Sequence, residues 1–496
     1  MIRWERNYPG EASRCYDVVS PASGGFLLAG YQERSWQRGA ANRRVVDLIR
    51  TDTEGDTIWR HQLFFEEFFT VYENDPMAFL DHEYLVIYNV IEVEDGFVLA
   101  GYAEEYDEER EGRDSIPAID YLFWRNLFML KIDVDGQMIW SSLIEDASNV
   151  IPHSIVECAN GDILLACERG DTGLVLALSN EGELQWSGEL NLGVVEGANT
   201  ILDFGDGRFI VVAFTMLEGR DDTDIAVLGF NQEGEQLWAN VIGSDLQEGP
   251  YDACINIDGQ LAILGGVIND ETDLDIWLLT ADINGDSVES IFCPIEEDQF
   301  GFALRTLPDR SHLIGGSNGI RIENRLYRQP FACQITEGGE ILWLENFEFD
   351  VGDRRSTTLG EFNSIVDAPG DTYLFAGWTE FDGLERPVLV ALQNDTLEIR
   401  GMHEAEQLNE TMFRIFPNPT NQGAIFSSSD YSKSIPLFQV FDLHGRLIWT
   451  SSATINGQSV YWNGFDQQNR SVPGGVYWVK ANTGNEVRFK SITLFK

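Results

Sequence analysis

Two short acidic segments are the first candidates for chemistry in this sequence. The segments "DVDGQ" at Asp133–Gln137 and "DINGD" at Asp282–Asp286 bring carboxylate and amide oxygens together, and Ca²⁺ prefers oxygen ligands of this kind. A calcium loop of the EF-hand type also needs a bidentate carboxylate at a fixed distance further along the chain. Asp and Gly in this arrangement are equally typical of tight turns between strands, which is the interpretation we favour. We predict no cofactor, and calcium is the one metal that these segments leave open.

The sequence offers no recognisable arrangement for nucleophilic catalysis. It contains no G-x-S-x-G segment, its six histidines are dispersed, and its six cysteines include neither a C-x-x-C nor an adjacent pair. A glycosidase that works through two carboxylates stays open, but with 82 acidic residues any pair could be proposed. We therefore predict no catalytic residue, and a binding role is favoured over an enzymatic one.

Two long insertions are the best candidates for a recognition surface. They cover Phe64–Tyr88 and Ala103–Asn126, and both are rich in aromatic and acidic residues. Aromatic faces beside carboxylates suit sugar rings and protein partners equally well. Packing of the phenylalanines over a neighbouring sheet is the structural alternative. The predicted ligand-binding loop residues are Tyr106, Tyr121, Phe123 and Trp124.

The charge of the chain excludes several classes of partner. The formal net charge is -49, and before Met412 the only lysine is Lys131. From Met412 onward there are eight Lys or Arg and four Asp or Glu, so this segment is basic and the remainder carries about -53. Such a surface repels nucleic acid and anionic lipid. Two interpretations of the acidic composition stay open. The simpler one is solubility in a saline habitat, and the more specific one is a surface that binds cations. No apolar run is long enough to span a membrane.

Repeated strands and turns must position any functional loop. An apolar strand such as "GFLLAG" from Gly25 recurs seven times, and each copy is followed by a second apolar strand. A tight turn follows the second strand, and we predict a two-residue hairpin turn in which glycine supplies a positive φ. The turn glycines are Gly55, Gly136, Gly182, Gly234, Gly285 and Gly339. Four residues later stand Trp59, Trp140, Trp186, Trp238 and Trp343, whereas Glu289 takes this position after the fifth turn.

The spacing of the repeats predicts a β-propeller. From Trp140 onward the closing positions lie 46, 52, 51 and 54 residues apart, which is the length of a four-stranded blade. Short strands with regular turn signals and no amphipathic helix favour an all-β ring. An open solenoid would need polar capping repeats, and none is visible.

The first strand, "IRWERNY", explains how the ring would close. The seventh repeat ends in "LEIRGMHEA" and lacks the Trp-bearing outer strand, whereas "IRWERNY" carries Trp4 but has no repeat of its own. A ring closes without an unpaired edge when the N-terminal strand completes the last blade. We therefore predict a seven-bladed β-propeller in which Trp4 takes the role that Trp343 has one blade earlier.

The repeats resemble bacterial secreted β-propellers of the quinoprotein-like superfamily, in which D-x-x-G-x-x-x-W hairpins dock tryptophans between blades. The resemblance covers about residues 2–402 and implies the fold, while it says little about activity. Glu289 departs from the pattern. A quinone-dependent dehydrogenase is the enzyme alternative that the resemblance implies. Such enzymes carry an adjacent cysteine pair beside the cofactor, and this chain has none.

A different pattern follows the repeats. The segments "FPNPT" at Phe416–Thr420, "VFDLHGRLIW" at Val440–Trp449 and "VPGGVYWVKANTG" at Val472–Gly484 occur in this order. They resemble the C-terminal sorting domain of the type IX secretion system of Bacteroidota, a small β-sandwich. An ordinary carbohydrate-binding sandwich is the alternative. The residues that carry the sorting motifs are Pro417, Asn418, Pro419, Asp442, Gly445, Arg446, Gly475 and Tyr477.

Together these patterns predict three regions and a destination. We expect a propeller over residues 1–402, a linker over 403–411 and the sorting domain over 412–496. The resemblance implies a secreted or cell-surface protein, with the type IX secretion machinery as one partner and a glycan or surface protein as another. Residues Met1–Gly10 contain no apolar signal segment, so we expect an export signal upstream of Met1.

Overall fold

Antiparallel β-strands make up the regular structure of the described part of this chain. The computed structural model describes residues 2–35, 42–64, 84–106, 123–190, 192, 194–204, 207–244, 246–268, 274–286, 288–292, 299–322, 325–347, 360–370, 372–381, 384–393, 413–416, 424–428, 437–441, 446–451, 459–468, 470–473, 475–482 and 487–494. Within these ranges, no helix is long and apolar enough to cross a membrane. The chain divides into two compact units, Met1–Asn394 and Asp395–Lys496.

The strands of the first unit follow one another in regular order. The first fourteen are β1 (Ile2–Asn7), β2 (Ser13–Val19), β3 (Phe26–Ser35), β4 (Asn42–Thr51), β5 (Thr57–Leu63), β6 (Tyr84–Val93), β7 (Gly96–Tyr106), β8 (Phe123–Ile132), β9 (Met138–Ser148), β10 (Val150–Glu157), β11 (Ile163–Arg169), β12 (Thr172–Leu178), β13 (Leu184–Glu189) and β14 (Val194–Asp203). The next fourteen are β15 (Arg208–Met216), β16 (Asp224–Asn231), β17 (Gln236–Ile242), β18 (Gln247–Ile255), β19 (Leu261–Ile268), β20 (Leu274–Ala281), β21 (Glu289–Phe292), β22 (Gln299–Thr306), β23 (His312–Ile322), β24 (Arg325–Ile335), β25 (Ile341–Asn346), β26 (Gly360–Ala368), β27 (Thr372–Phe381) and β28 (Leu384–Gln393).

These strands pair in groups of four. The groups are β2–β5, β6–β9, β10–β13, β14–β17, β18–β21, β22–β25, and β26–β28 with β1. A single parallel bridge between Arg44 and Tyr84 joins the first two groups into one sheet. The two middle strands of a group are apolar almost throughout and buried, as in β11 and β12, whereas outer strands such as β13 alternate in exposure. Burial on both faces explains the continuous apolar runs of the middle strands. The prediction of an all-β fold is confirmed.

The turn before each outer strand is longer than the sequence pattern predicts. In the first turn, the Gly55 amide donates to the Asp52 carbonyl and the Asp52 amide donates to the Asp56 carbonyl, at 3.2 Å and 3.0 Å. Three residues therefore lie between the paired ends, and the third has a φ of +77°. The same pair of hydrogen bonds recurs in the other five turns. The prediction of a two-residue turn was wrong, because glycine here forms the bulge that closes a three-residue loop.

The turn glycines also receive the tryptophans of neighbouring groups. A Cβ at Gly182 would lie 2.6 Å from the Trp140 ring, so the indole occupies the space that a side chain would need. At Gly339 the side chain of Ile291 occupies this space. Ile291 comes from the preceding repeat, which carries Glu289 instead of tryptophan. The corresponding pairs are Trp4 with Gly55, Trp59 with Gly136, Trp140 with Gly182 and Trp186 with Gly234. At these four turns a tryptophan at the edge of one group packs on the turn of the next, whereas Val227 and Asn240 lie at Gly285.

Two glycine substitutions separate backbone strain from this packing. Gly161 and Gly182 have φ angles of +86° and +80°, but a Cβ at Gly161 would meet no atom within 4 Å. Gly161→Ala is expected to lower the free energy of unfolding by about 1 kcal/mol, through backbone strain alone. Gly182→Ala is expected to lower it by about 3 kcal/mol, because the methyl group also displaces the Trp140 ring. Urea unfolding of both variants checks this difference, and equal losses would contradict the packing role of Trp140.

Eight buried apolar clusters lie in the described part of the first unit and hold its groups together. Each cluster draws its members from two groups that are consecutive in the chain, except for one cluster that joins the last group to the first. That cluster contains Phe26 and Leu28 of the first group with Leu374 and Leu389 of the last. Burial between groups, at about 25 cal/mol per Å² of apolar surface, is therefore the main force that stabilises this unit.

The N-terminal strand is part of the last group. β1 pairs antiparallel with β28, and Trp4 lies opposite Ala391. Glu5 and Asn7 lie opposite Val390 and Val388. Trp4 also packs against the cluster that joins the last group to the first. Chain ends that are far apart in sequence are thus joined within one sheet.

The second unit contains two smaller sheets. Its strands are β29 (Phe413–Phe416), β30 (Ala424–Ser428), β31 (Leu437–Phe441), β32 (Leu447–Thr450), β33 (Ser459–Trp462), β34 (Gly475–Asn482) and β35 (Val487–Leu494). They pair in the orders β29-β30-β33 and β32-β31-β34-β35. The buried core contains Phe438, Val440, Trp462, Tyr477 and Val479.

Candidate functional site

A surface of tyrosine and arginine side chains forms where the first, second and last groups of the first unit meet. Its rings lie side by side, with centroid distances of 5.8 Å from Tyr16 to Tyr31, 4.8 Å from Tyr16 to Tyr88 and 5.8 Å from Tyr88 to Tyr102. Tyr31 and Tyr102 are buried, while Tyr16 and Tyr88 are half-buried. We call this surface the tyrosine–arginine belt and define it by Arg14, Tyr16, Tyr31, Arg44, Tyr88, Tyr102 and Arg125.

β-Bulges explain why Tyr16 and Tyr88 lie in the belt. The register of β2 with β3 shifts between Cys15 and Asp17, so that Tyr16 is the extra residue. In the same way, the register of β6 with β7 shifts between Ile87 and Asn89, and Tyr88 is the extra residue. The first strands of the other five groups carry a bulge at the same place, so the bulge is a feature of the repeat that re-aims one side chain in each group.

Arg14 joins the first group to the last across the belt. Its Nε and Nη2 donate to the two carboxylate oxygens of Glu385, at 2.7 Å and 2.5 Å. The guanidinium lies 4.0 Å from the ring centroid of Trp378, which is itself buried. The Trp378 indole in turn donates to Glu361 at 3.0 Å. A bidentate ion pair that also stacks on an aromatic ring holds a guanidinium in one orientation.

Arg44 and Arg125 repeat this arrangement on the first two groups. Arg44 lies 4.6 Å from the Tyr31 ring and pairs with Glu33 at 3.2 Å. Arg125 lies 5.2 Å from the Tyr102 ring and pairs with Glu104 at 2.6 Å. Each guanidinium of the belt therefore has one aromatic face and one carboxylate beside it.

Tyr16, Tyr31 and Tyr88 of the belt are uncharged at neutral pH. Burial raises the pKa of Tyr31 to about 12 and also raises the pKa of Tyr16 and of Tyr88. The hydroxyl groups therefore stay protonated and can both donate and accept hydrogen bonds. Aromatic faces with fixed polar groups around them can bind a ligand that has both apolar and polar sides.

The predicted ligand-binding loop begins and ends on strands of the belt. Tyr106 lies opposite Phe123, and Trp124 lies opposite Glu105, at the ends of β7 and β8. The next pair in the ladder is Glu104 with Arg125, and Arg125 belongs to the belt. Tyr121 lies outside the described residues.

Repeat counting overlooked a Tyr-Asp or Tyr-Asn dipeptide at the first-strand bulge, which marks two of the belt tyrosines and occurs at one such bulge outside the belt. Tyr is followed by Asp or Asn at Tyr16-Asp17, Tyr88-Asn89 and Tyr251-Asp252, each time at the bulge in the first strand of a group. Alignment of the first strands of the repeats would have found this dipeptide. Arg14, Arg44 and Arg125 have no comparable signal, because their partners come from other strands.

The Asp of this dipeptide connects neighbouring groups. Asp17 accepts hydrogen bonds from the Val90 amide at 2.8 Å and from the Ser364 hydroxyl at 2.7 Å, so it joins three groups. Asp252 accepts from the Leu304 amide of the next group at 2.8 Å. Burial raises the pKa of Asp17 to about 6 and that of Asp252 to about 7.

The acidic turn segments use their oxygens within the turns. Asp133 accepts hydrogen bonds from the amides of Asp135 and Gln137, at 3.0 Å and 2.8 Å. Asp282 accepts from the amides of Asn284 and Asp286 in the same way. The part of the chain that the structure describes contains no group of three or more His, Cys, Asp or Glu side chains that could hold a metal. The favoured interpretation of these segments as turns agrees with this geometry.

In the second unit, part of the sorting motif lies within the described ranges. Tyr477 is buried, stacks edge-on against Trp462 with centroids 5.7 Å apart and donates to the Pro473 carbonyl at 2.7 Å. Gly475 begins β34 opposite Leu494, and Arg446 is exposed just before β32. The described residues do not include Pro417, Asn418, Pro419, Asp442 and Gly445.

Comparison with solved structures gives distant similarities. PorZ, an essential bacterial surface component of the type IX secretion system of Porphyromonas gingivalis, is 12% identical with a TM-score of 0.41. The match covers 95% of this chain and 58% of PorZ, so this chain spans less than two thirds of the PorZ length. Hydrazine synthase of Kuenenia stuttgartiensis is 10% identical with a TM-score of 0.46, over 77% of this chain and 95% of that one. At these values neither structure assigns a function. No curated protein matches the chain by sequence.

Comparison with protein families identifies the C-terminal region. Residues 414–494 match the family of secretion system C-terminal sorting domains. The match includes the motif residues Arg446, Gly475 and Tyr477 and almost all of the second unit's strands. The resemblance inferred from the three sequence motifs is confirmed, and such a domain directs a protein to secretion or to the outer cell surface. Residues 414–494 of this β-sheet protein are therefore a C-terminal sorting domain of the type IX secretion system.

Proposed function

We propose that this protein is an exported binding module in which residues 1–402 form a closed seven-bladed β-propeller. Residues 403–411 are the linker, and residues 412–496 are the sorting domain through which the secretion machinery handles the chain. The apolar cluster between the last and first groups supports a closed ring, as do the pairing of β1 with β28 and the packing of Trp4 on Gly55.

The tyrosine–arginine belt is the observation that carries the binding role. Rigid strands present its aromatic and charged groups, and the long connection with Tyr106, Tyr121, Phe123 and Trp124 leaves from two of these strands. Recognition sites commonly combine a rigid scaffold with loops at one end of its strands. In our proposal the belt and this loop contact an extracellular glycan or a surface protein.

Screening of the full-length protein against glycans and outer-surface proteins tests the proposal. Arg125→Ala is expected to weaken binding at least about tenfold, because it removes the partner of Glu104 at the base of the loop. Replacement of residues 107–122 by a short Gly/Ser linker is expected to have a similar effect. Arg310→Ala is the matched control, since this arginine is exposed in a turn away from the belt and pairs with Asp258. The proposal would be contradicted if Arg125→Ala and the loop replacement both bound the ligand as well as the Arg310→Ala control does. The absence of any ligand would also contradict it.

A further inference from the structure

We infer that the ligand of the tyrosine–arginine belt is an uncharged glycan. This inference rests on the binding role proposed above and adds the chemical class of the ligand. It follows from three properties of the belt: its charge balance, the occupancy of its aromatic rings and the side chains that stay accessible.

The charge balance disfavours an anionic ligand. Each guanidinium of the belt already faces a carboxylate, in the pairs Arg14–Glu385, Arg44–Glu33 and Arg125–Glu104, at 2.5 Å, 3.2 Å and 2.6 Å. A phosphate, sulfate or uronate group that reached one of these guanidiniums would lie close to the carboxylate already paired with it, and the two negative charges would repel each other. This repulsion costs free energy, particularly beside a protein of net charge -49.

The occupancy of the aromatic rings disfavours a basic partner. Arg44 stacks on Tyr31 and also lies 5.0 Å from the Tyr84 ring, while Arg125 and Arg14 stack on Tyr102 and Trp378. Lysine or arginine side chains of a partner would bind such rings through cation–π contacts. The protein's own arginines already make these contacts at four rings, so a basic peptide would gain no new cation–π contact at those rings.

The accessible side chains suit a sugar ring. Tyr16 and Tyr88 are half-buried, with ring centroids 4.8 Å apart and ring planes inclined at 55°. A pyranose presents an apolar C–H face that packs on such rings and hydroxyl groups around its edge. The side chains of Arg14, Arg44 and Arg125 are 29%, 31% and 44% exposed, so their remaining N–H groups can donate to these hydroxyls. An uncharged polyhydroxylated ligand uses both features without breaking an ion pair.

A binding experiment with defined oligosaccharides tests the inference. The full-length protein is screened against neutral glycans, sulfated and uronate-containing glycans, and outer-surface proteins, and hits are titrated by calorimetry. We expect neutral glycans among the hits, and we expect Tyr16→Ala and Tyr88→Ala to weaken their binding about tenfold each. Tyr88→Phe retains the ring and is expected to weaken binding less than threefold. Ile257→Ala, at an exposed turn position on the fifth group, is the control and should bind normally.

The outcomes separate this inference from the proposed function. Hits restricted to charged glycans or to proteins, with binding still reduced by Tyr88→Ala, would overturn the uncharged-glycan inference and leave the binding role intact. Neutral glycans whose binding is unaffected by Tyr16→Ala and by Tyr88→Phe and Tyr88→Ala would overturn the assignment of the belt. The absence of hits in every class would contradict the proposed function itself. Thermal melting of each variant confirms that it is folded.

Discussion

Deletion of Ile2–Asn7 is expected to lower the free energy of unfolding of the first unit by about 5 kcal/mol or more. The deletion removes the edge strand of the last group and exposes the backbone of β28, which now pairs with β1. It also removes Trp4 from the apolar cluster between the last and first groups. Loss of a large core side chain costs about 3 kcal/mol, and loss of several backbone hydrogen bonds costs about as much again. Domains of this kind are stable by about 5–15 kcal/mol, so the variant should be close to unfolded.

Two point variants provide the matched comparison for this deletion. Trp343 has the position in β25 that Trp4 has in β1, and each packs against a cluster between two groups. Trp4→Ala and Trp343→Ala are therefore expected to cost similar amounts, about 2–3 kcal/mol each, since both side chains are half-buried. Urea unfolding measured by tryptophan fluorescence and circular dichroism gives these values. A loss below about 0.5 kcal/mol for both the deletion and Trp4→Ala would contradict the role of β1.

A second large effect is expected from Asp252 when the pH changes. Burial raises the pKa of this carboxyl to about 7, whereas an unfolded aspartate has a pKa of about 3.9. At a pH between about 3.9 and about 7, Asp252 is protonated in the folded state and ionised in the unfolded state. The contribution of Asp252 to stability therefore falls as the pH rises through this range. The expected fall is up to about 4 kcal/mol between pH 4 and pH 8. Asp17, whose pKa is raised to about 6, acts in the same direction.

His312 acts in the opposite direction, so the effect must be read from a difference between variants. Burial lowers the pKa of His312 to about 4, and its contribution to stability is lost as the pH falls from about 6.5 towards 4. The measurement is therefore the free energy of unfolding of Asp252→Asn minus that of the wild type across pH 4–8. This difference should shift in favour of the variant as the pH rises. Asp171→Asn, at an exposed position, is the control. A difference for Asp252→Asn that does not change with pH would contradict the account of this buried carboxyl.

Local turn chemistry made much of the fold predictable. Four of the six turn glycines combine a positive φ with a neighbouring indole, which only glycine accepts, whereas Gly285 meets Val227 and Gly339 meets Ile291. Trp4 was assigned to the last group because the seventh repeat lacks a Trp-bearing outer strand, and it lies opposite Ala391. The turn length was predicted incorrectly, since glycine suits both a two-residue turn and the bulge of a three-residue loop. Ile291 replaces the missing tryptophan two residues after Glu289, a substitution that spacing alone does not indicate.

The candidate site was much harder to predict. The aromatic and acidic composition of Ala103–Asn126 predicts a binding loop between β7 and β8, at whose base Glu104 and Arg125 pair, and the binding role stays a prediction. Tyr16 and Tyr88, however, lie together only because bulges in two different strands turn both side chains towards each other. Arg14 meets Glu385 across the junction of the first and last groups, 371 residues apart in sequence. Contacts of this kind depend on the register of several strands, and single-sequence patterns do not determine that register.

Hydrogen exchange of β1 is the most direct measurement of the central claim, that the first strand closes the propeller. The amides of residues 2–7 that point towards β28 are expected to exchange as slowly as those of the partner strand 384–393, because their hydrogen bonds break only when this sheet opens. Mass spectrometry of peptides from the full-length protein resolves these two segments. Exchange of residues 2–7 within seconds, while residues 384–393 stay protected for hours, would contradict ring closure and the propeller on which the proposed binding face depends.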